Sequence, residues 1–287
     1  MKEEIVTPTF ILGGAPKAGT TSLYRYLQQH PQVCMSARKE TSVFIDDKGL
    51  EWLSDTHYRH YDGESAVGEA SAGTLGNPDV TERVYDALPD VKLIFVLRDP
   101  IERTFSHYRF LRGVGGLEEW EGVEGTASFS ELIRAEGTEW REIHIDLGMY
   151  HRHLTRFEQY FEREQMLILL FSDLKKNPSQ VVERIFRFVG VDPSFQPDLA
   201  VHNTSRSPRF ERLYQAATSL WTTVKRRVDI SLINKTRPVR RAVKQFLTEE
   251  TSRSEIPPDD EEYLRGIYAE PNQRLEEWLG RDLSHWR

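Results

Sequence analysis

The chain has 287 residues, 38% of them hydrophobic and 29% charged; that is enough apolar material for one large α/β domain or two small ones, and too patterned for a disordered chain. A formal net charge of -7 argues against a general nucleic-acid coat, and no apolar run approaches the roughly 20 residues that span a bilayer. The one cysteine, Cys34, excludes an internal disulfide and a cysteine-cluster zinc site, and fits a reducing compartment.

The first ten residues, MKEEIVTPTF, lack a basic region followed by a long apolar run, so no signal peptide is expected. Phe10 to Gly13 reads as a short apolar strand, and Thr20 to Gln29 as a helix stopped by His30-Pro31. Val33 to Met35 and Val67 to Glu69 read as further strands, the latter followed by a loop from Ala70 to Pro78. A helix is predicted over Asp79 to Leu88. Val91 to Leu97, nearly all apolar and rich in β-branched residues, has the pattern of a buried parallel strand, and Pro100 to Phe110 returns to helix. Arg112 to Ser128, rich in glycine and glutamate, reads as a mobile loop.

Helix is then expected over Tyr150 to Phe161, strand over Met166 to Phe171, and helix over Pro178 to Val189, where Val181, Val182, Ile185, Phe186 and Val189 share one face. Arg209 to Gln245 is basic, with apolar residues interleaved; Thr251 to Asp260 is a polar linker and Glu261 to Leu279 a closing helix. Strands alternating with helices predict an α/β fold, a P-loop-like parallel sheet of about four or five strands flanked by helices on both faces. Residues 1–287 are read as a single domain, an α/β core over 5–200 followed by basic loop and helices over 201–287.

Two motifs carry the chemistry. In FILGGAPKAGTTSL, Phe10 to Leu23, a strand runs into glycines, a lysine and three hydroxyls. Backbone amides at a tight turn opening a helix form an anion cradle. The usual phosphate loop places lysine after its last glycine, whereas here Lys17 lies between Gly14 and Gly19. Its ammonium therefore approaches a bound anion from another side, unless it is simply an exposed turn lysine. In VLRDPIERTFSHY, Val96 to Tyr108, Arg98 lies just past the strongest strand and Ser106 within the following helix. Ligands of open α/β sheets bind beyond the carboxyl ends of the strands. Arg98 is thus placed for a second anionic group, the alternative being a pairing with Asp99 or Glu102.

These motifs, with RKETSVF, GEASAGTL, LILLFSDLKKNPSQVVERIFRFVGV and RLEEWLGRDLSHW in order along the chain, resemble the sulfotransferases that use 3′-phosphoadenylyl sulfate (PAPS). The similarity is greatest to a bacterial branch akin to the heparan sulfate N- and 3-O-sulfotransferases. The resemblance implies that Lys17, Ala18, Gly19, Thr20, Thr21 and Ser22 bind the 5′-phosphosulfate, with Lys17 on the bridging oxygen. It implies that Arg98 and Ser106 bind the 3′-phosphate, and that no metal is needed. HNTSRSPR resembles the family loop that closes over the cofactor, which brings in Arg206 and Arg209, otherwise members of a solvated basic loop.

The acceptor needs a base, and Glu40, Asp46, Asp47, His57, His60 and His107 are candidates. On residues alone Glu40 reads as a surface partner of Arg38 or Lys39. The segment around it resembles the family's K-E-P-H-F-F, whose glutamate is the base, and that makes Glu40 the choice. Thr41 replaces the proline, and Ser42 stands where a histidine is frequent, which opens the acceptor class. Ser71 is a weaker candidate for touching cofactor or acceptor, or is a turn serine.

The expected activity is sulfuryl transfer from PAPS, leaving 3′-phosphoadenosine 5′-phosphate (PAP), to a carbohydrate or glycolipid hydroxyl or amine. A natural-product alcohol or phenol is the alternative acceptor. A small-molecule kinase and a non-catalytic nucleotide-binding or membrane-docking protein are the alternative functions. The expected location is cytoplasmic, with no nucleic-acid partner. Residues 209–245 are expected either to pack on the core or to contact an anionic membrane.

Overall fold

The computed structural model describes residues 5–114, 116–199, 206–208, 248–250 and 255–286. In chain order the main elements are β1 (Phe10–Gly14), α1 (Thr20–Leu27), β2 (Val33–Met35), α2 (Leu50–His57), β3 (Ala66–Ala70), α3 (Pro78–Ala87), β4 (Lys92–Leu97), α4 (Pro100–Val114), α5 (Phe129–Arg134), α6 (Glu139–Asp146), α7 (Tyr150–Phe157), β5 (Met166–Leu170), α8 (Phe171–Lys176), α9 (Pro178–Val189), β6 (Arg206–Pro208), β7 (Thr248–Glu250) and α10 (Pro258–Leu279). The chain divides into two compact units, Met1–Arg103 with Ile145–Asn203 and Glu262–Arg287, and Thr104–His144 with Thr204–Glu261.

The first unit is built on a five-stranded sheet of order β2-β3-β1-β4-β5, in which every pairing is parallel. β1, β2 and β3 are buried along their whole length, as expected where helices cover both faces of a parallel sheet. Phe10, Ile11 and Leu12 of β1 and Leu93 to Leu97 of β4 have no exposed surface. The helices carry local signals that fix their ends. Asn77 caps α3 by accepting from the Asp79 amide at 3.0 Å, with Pro78 at the first turn. α9 opens on Pro178 and ends on Gly190 at φ 88°, a left-handed position that glycine enters without strain. Cys34 of β2 is buried, and desolvation, with the Glu64 carboxylate nearby, pushes its thiol up to about 12.

In the second unit Tyr108, Phe129, Leu132, Ile133 and Trp140 are buried. Ser128 and Glu131 form a capping box on α5. Arg134 forms an ion pair with the buried Asp260, which also accepts from Ser130 Oγ at 2.6 Å. The small sheet of β6 and β7 is antiparallel.

Several elements differ from the sequence reading. α4 runs on to Val114, and the segment read as a mobile loop contains a 3-10 turn, Leu117–Glu119, whose Leu117 is buried. α2, α5, α6 and α8 are additional. The closing helix begins at Pro258, because proline suits a first helical turn. Among the described residues no helix is long and apolar enough to cross a membrane. The whole basic segment 209–245, including Arg209, lies outside the described residues, and so does the membrane contact expected of it.

Candidate active site

The site gathers at the carboxyl ends of three neighbouring strands, β3, β1 and β4. The loop leaving β1 turns at Gly14, φ 148°, where a Cβ would stand 2.9 Å from the Ala72 carbonyl oxygen. The loop re-enters helix at Gly19, φ 90°, where a Cβ would meet Leu174 at 2.8 Å and Phe171 at 3.0 Å. Both positions therefore need glycine, for backbone conformation and for space. Gly19 gives α1 no side-chain cap, so no capping side chain competes with an anion at the helix start, although the Ser22 amide already donates to the Gly19 carbonyl at 3.0 Å. Thr20 and Ser22 are buried in this first turn and Thr21 is half-buried. Ala18 is fully buried.

Lys17 adopts φ 69° in the middle of the loop. Burial lowers its ammonium to about 8, and the cations Arg98 and Lys39 push in the same direction. Arg98, from the end of β4, donates from Nη1 to the Lys17 carbonyl at 3.1 Å. Its guanidinium stacks over Phe171, 5.0 Å from the ring centroid. Nε and Nη2 donate to one oxygen of Glu102, at 3.1 and 3.0 Å. The Arg98 carbonyl accepts from the buried Tyr150 hydroxyl at 2.8 Å. Arg98 thus touches the phosphate loop and also makes the Glu102 pairing that sequence left as its alternative. Ser106 is half-buried on α4, in the second unit.

Glu40 lies across the sheet ends from this pair, after β2. Its amide donates to the Ala70 carbonyl at 2.7 Å, and its Oε2 accepts from the Ala72 amide at 3.0 Å. Oε1 is paired with the Lys39 ammonium. Glu40 and Ser42 both have positive φ, 61° and 57°, a conformation that surrounding bonds must hold for residues with a Cβ. The Ser42 amide donates to Ser71 Oγ at 2.9 Å. Ser71 is 2% exposed, so it works inside the scaffold.

The other base candidates are engaged elsewhere. Asp46 pairs with Lys48 at 2.5 Å, and Asp47 is exposed. His57 is buried edge-on against Trp52. His60 Nε2 lies 3.0 Å from the Met35 carbonyl. His107 packs on His144 in the second unit. Arg206 opens β6, and Arg209 lies outside the described residues.

Sequence reading missed Glu69, a strand residue with no exposed surface. Its Oε1 accepts from Thr41 Oγ1 and from Ser71 Oγ, each at 2.6 Å. Desolvation dominates and raises its carboxyl from near 4.5 to about 7, against those two hydrogen bonds. The sign of the consequence follows from proton counting. Between about 4.5 and 7 the folded state holds a proton on Glu69 that the unfolded chain has lost, so stability falls as pH rises through that window. We expect denaturant melts of Glu69→Gln to lack this loss, which is roughly 3 kcal/mol at most for one group. Equal pH dependence in wild type and variant would contradict it. Tyr150, Phe171 and Arg156 were also missed. Arg156 Nη2 holds the loop after β3 through the Leu75 and Asn77 carbonyls, at 2.8 and 3.2 Å.

An uncapped helix start behind a glycine turn, at the carboxyl end of an inner parallel strand, defines a P-loop-like anion-binding fold. The chain belongs to the sulfotransferase domain family, whose model matches residues 7–237. It is similar to the membrane-associated sulfotransferase kil1 of Dictyostelium discoideum, 39% identical over 134 residues, which cover 45% of this chain and 28% of that one. It is 30% identical over 188 residues to human heparan sulfate glucosamine 3-O-sulfotransferase 3B1, covering 64% of this chain and 46% of the relative. The matches thus span less than half the length of these two curated relatives. A sulfotransferase crystal structure from Alicyclobacillus acidocaldarius superposes with TM-score 0.68 and 28% identity, covering 99% of this chain and all of that one.

Proposed function

We propose that the protein transfers a sulfuryl group from PAPS to a hydroxyl or amine of a carbohydrate or glycolipid. The observation that carries this reading is the desolvated Lys17 between two obligatory glycines, with Arg98 bonded to the same loop and Glu40 held at the end of the next strand. The loop fits the donor, because its helix start carries no side-chain cap and the desolvated Lys17 lies just ahead of it. PAPS, when bound, supplies the sulfuryl group and a phosphate leaving group. The loop from Lys17 to Ser22 would bind the 5′-phosphate through amides other than those of Ala18 and Ser22, which donate to the Ala15 and Gly19 carbonyls, aided by the positive helix end. Lys17 stabilises charge that grows on the bridging oxygen as the sulfur–oxygen bond breaks, a gain concentrated in the transition state. Arg98 releases Glu102 and grips the 3′-phosphate. Glu40 accepts the proton from the attacking hydroxyl. No metal has a role in this scheme, and no cluster of metal-ligating side chains occurs among the described residues. The names of the matched heparan sulfate enzymes support the carbohydrate acceptor, and that of kil1 supports a membrane-associated setting.

The test is PAP binding by calorimetry, with ATP–magnesium as control. Wild type is expected to bind PAP tightly and to prefer it over ATP–magnesium. Arg98→Ala is expected to lose about 1.5–3 kcal/mol of binding, the worth of a charged hydrogen bond. Preference for ATP–magnesium would favour a kinase instead, and tight PAP binding without turnover on any acceptor would favour a non-catalytic nucleotide-binding protein.

A further inference from the structure

We propose that Glu69 is the positioning residue for the base Glu40, because its buried Oε1 ties together the two loops that hold the Glu40 carboxylate. The inference rests on the reading of Glu40 as the base. One loop, 36–42, carries Glu40, which has positive φ as Ser42 does, and Thr41 between them roots the loop by donating to Glu69 Oε1 at 2.6 Å. The other loop begins at Ser71, which donates to the same oxygen at 2.6 Å and accepts the Ser42 amide at 2.9 Å. One residue further, the Ala72 amide donates to Glu40 Oε2. A single carboxylate oxygen therefore anchors both ends of the cradle around the base. Glu69 and Ser71 are 0% and 2% exposed and Thr41 is 1% exposed, so water does not compete for these bonds.

A carboxylic acid is an expensive way to hold two hydroxyls in a sheet, since its burial must be offset. Its Oε2 has no hydrogen-bond partner, so the acid is not there to satisfy a ring of buried donors. What it supplies is one acceptor strong enough for two hydroxyls at short distance. The titratable groups acting on it are Glu40 and Lys39 from the first loop and Tyr58 beyond α2. Ionisation of Glu69 strengthens both hydroxyl bonds and tightens the cradle, so alkaline pH favours the positioned state of Glu40.

The experiment follows amide protons by NMR on the full chain with PAP, beside steady-state kinetics with PAPS and a heparan sulfate oligosaccharide. In Glu69→Leu the Ser42 and Ala72 amides are expected to lose protection from exchange by roughly tenfold or more, about the value of one hydrogen bond. The amides of β1 keep theirs, kcat falls at least as far, and KM for PAPS is unchanged. Glu69→Gln, whose carboxamide oxygen still accepts both hydroxyls, restores protection and kcat but abolishes the step in the Ser42 amide shift expected near pH 7 in wild type. Thr41→Val gives the same amide readout should Glu69→Leu fail to fold, and Ser71→Ala, which removes the Ser42 amide's own acceptor, is read at the Ala72 amide alone. Wild-type protection of Ser42 and Ala72 in these variants, or a Gln variant as damaged as Leu, overturns the proposal. Wild-type turnover by Glu40→Gln would instead remove the base reading, while the amide data still judge the tie between the loops.

Discussion

Lys17→Ala is expected to lower kcat by about 10²–10³, the range for removing one donor aimed at developing charge, with a much smaller change in KM for PAPS. The reasoning starts from placement. Lys17 is held in left-handed backbone between glycines, and its ammonium is depressed to about 8 by burial and by Arg98 and Lys39. A lysine that is already desolvated spends little reorganisation when charge appears beside it. The pH dependence has a definite sign. Lys17 must be protonated to act, so kcat/KM should decline as pH rises through about 8, the free-enzyme value. Lys17→Arg, which stays charged, should lose that alkaline limb even if its kcat is low. A flat profile in wild type up to pH 10, or full activity in Lys17→Ala, would remove Lys17 from the mechanism.

Glu40→Gln is expected to reduce kcat by about 10²–10⁴, the usual contribution of general acid–base catalysis, and to leave PAP affinity intact. The carboxamide keeps the acceptor that holds the Ala72 amide, so the loop stays in place. What is lost is the capacity to take a proton. Glu40 is half-exposed, unlike Glu69 behind it, and its partner Lys39 is an adjacent ammonium. The pair must open for the base to meet an acceptor. Parallel measurement of PAP binding separates this effect from damage to the donor site, and an unchanged kcat would transfer the role to another group.

β1, β2, β4 and β5 were legible because each is a short, mostly apolar run, and β2 at Val33–Met35 was legible to the residue. The phosphate loop was legible because glycine spacing and a lysine are local signals. Glu69 was not. In Val67-Gly68-Glu69 it reads as the polar residue of a strand edge, and only the parallel sheet shows that both faces of β3 are covered. α2, Leu50–His57, was hidden in a largely polar stretch. Its start at Gly49 offers no side-chain cap, and of its residues only Leu53 and His57 are buried. The contacts of Tyr150, Phe171 and Arg156 join segments far apart in the chain, which no periodicity in a window of sequence reports.

The burial of Cys34 has a practical corollary. A thiol with its titration near 12 is ionised in only about one molecule in ten thousand at pH 8, and its sulfur lies inside the sheet edge. Alkylating reagents react with the thiolate, so the native chain is a nearly silent background for maleimide chemistry. A cysteine introduced at an exposed position such as Tyr61 or Phe110 would accept a fluorophore or spin label almost exclusively. That opens either unit to distance and mobility measurements during turnover without first removing the natural thiol.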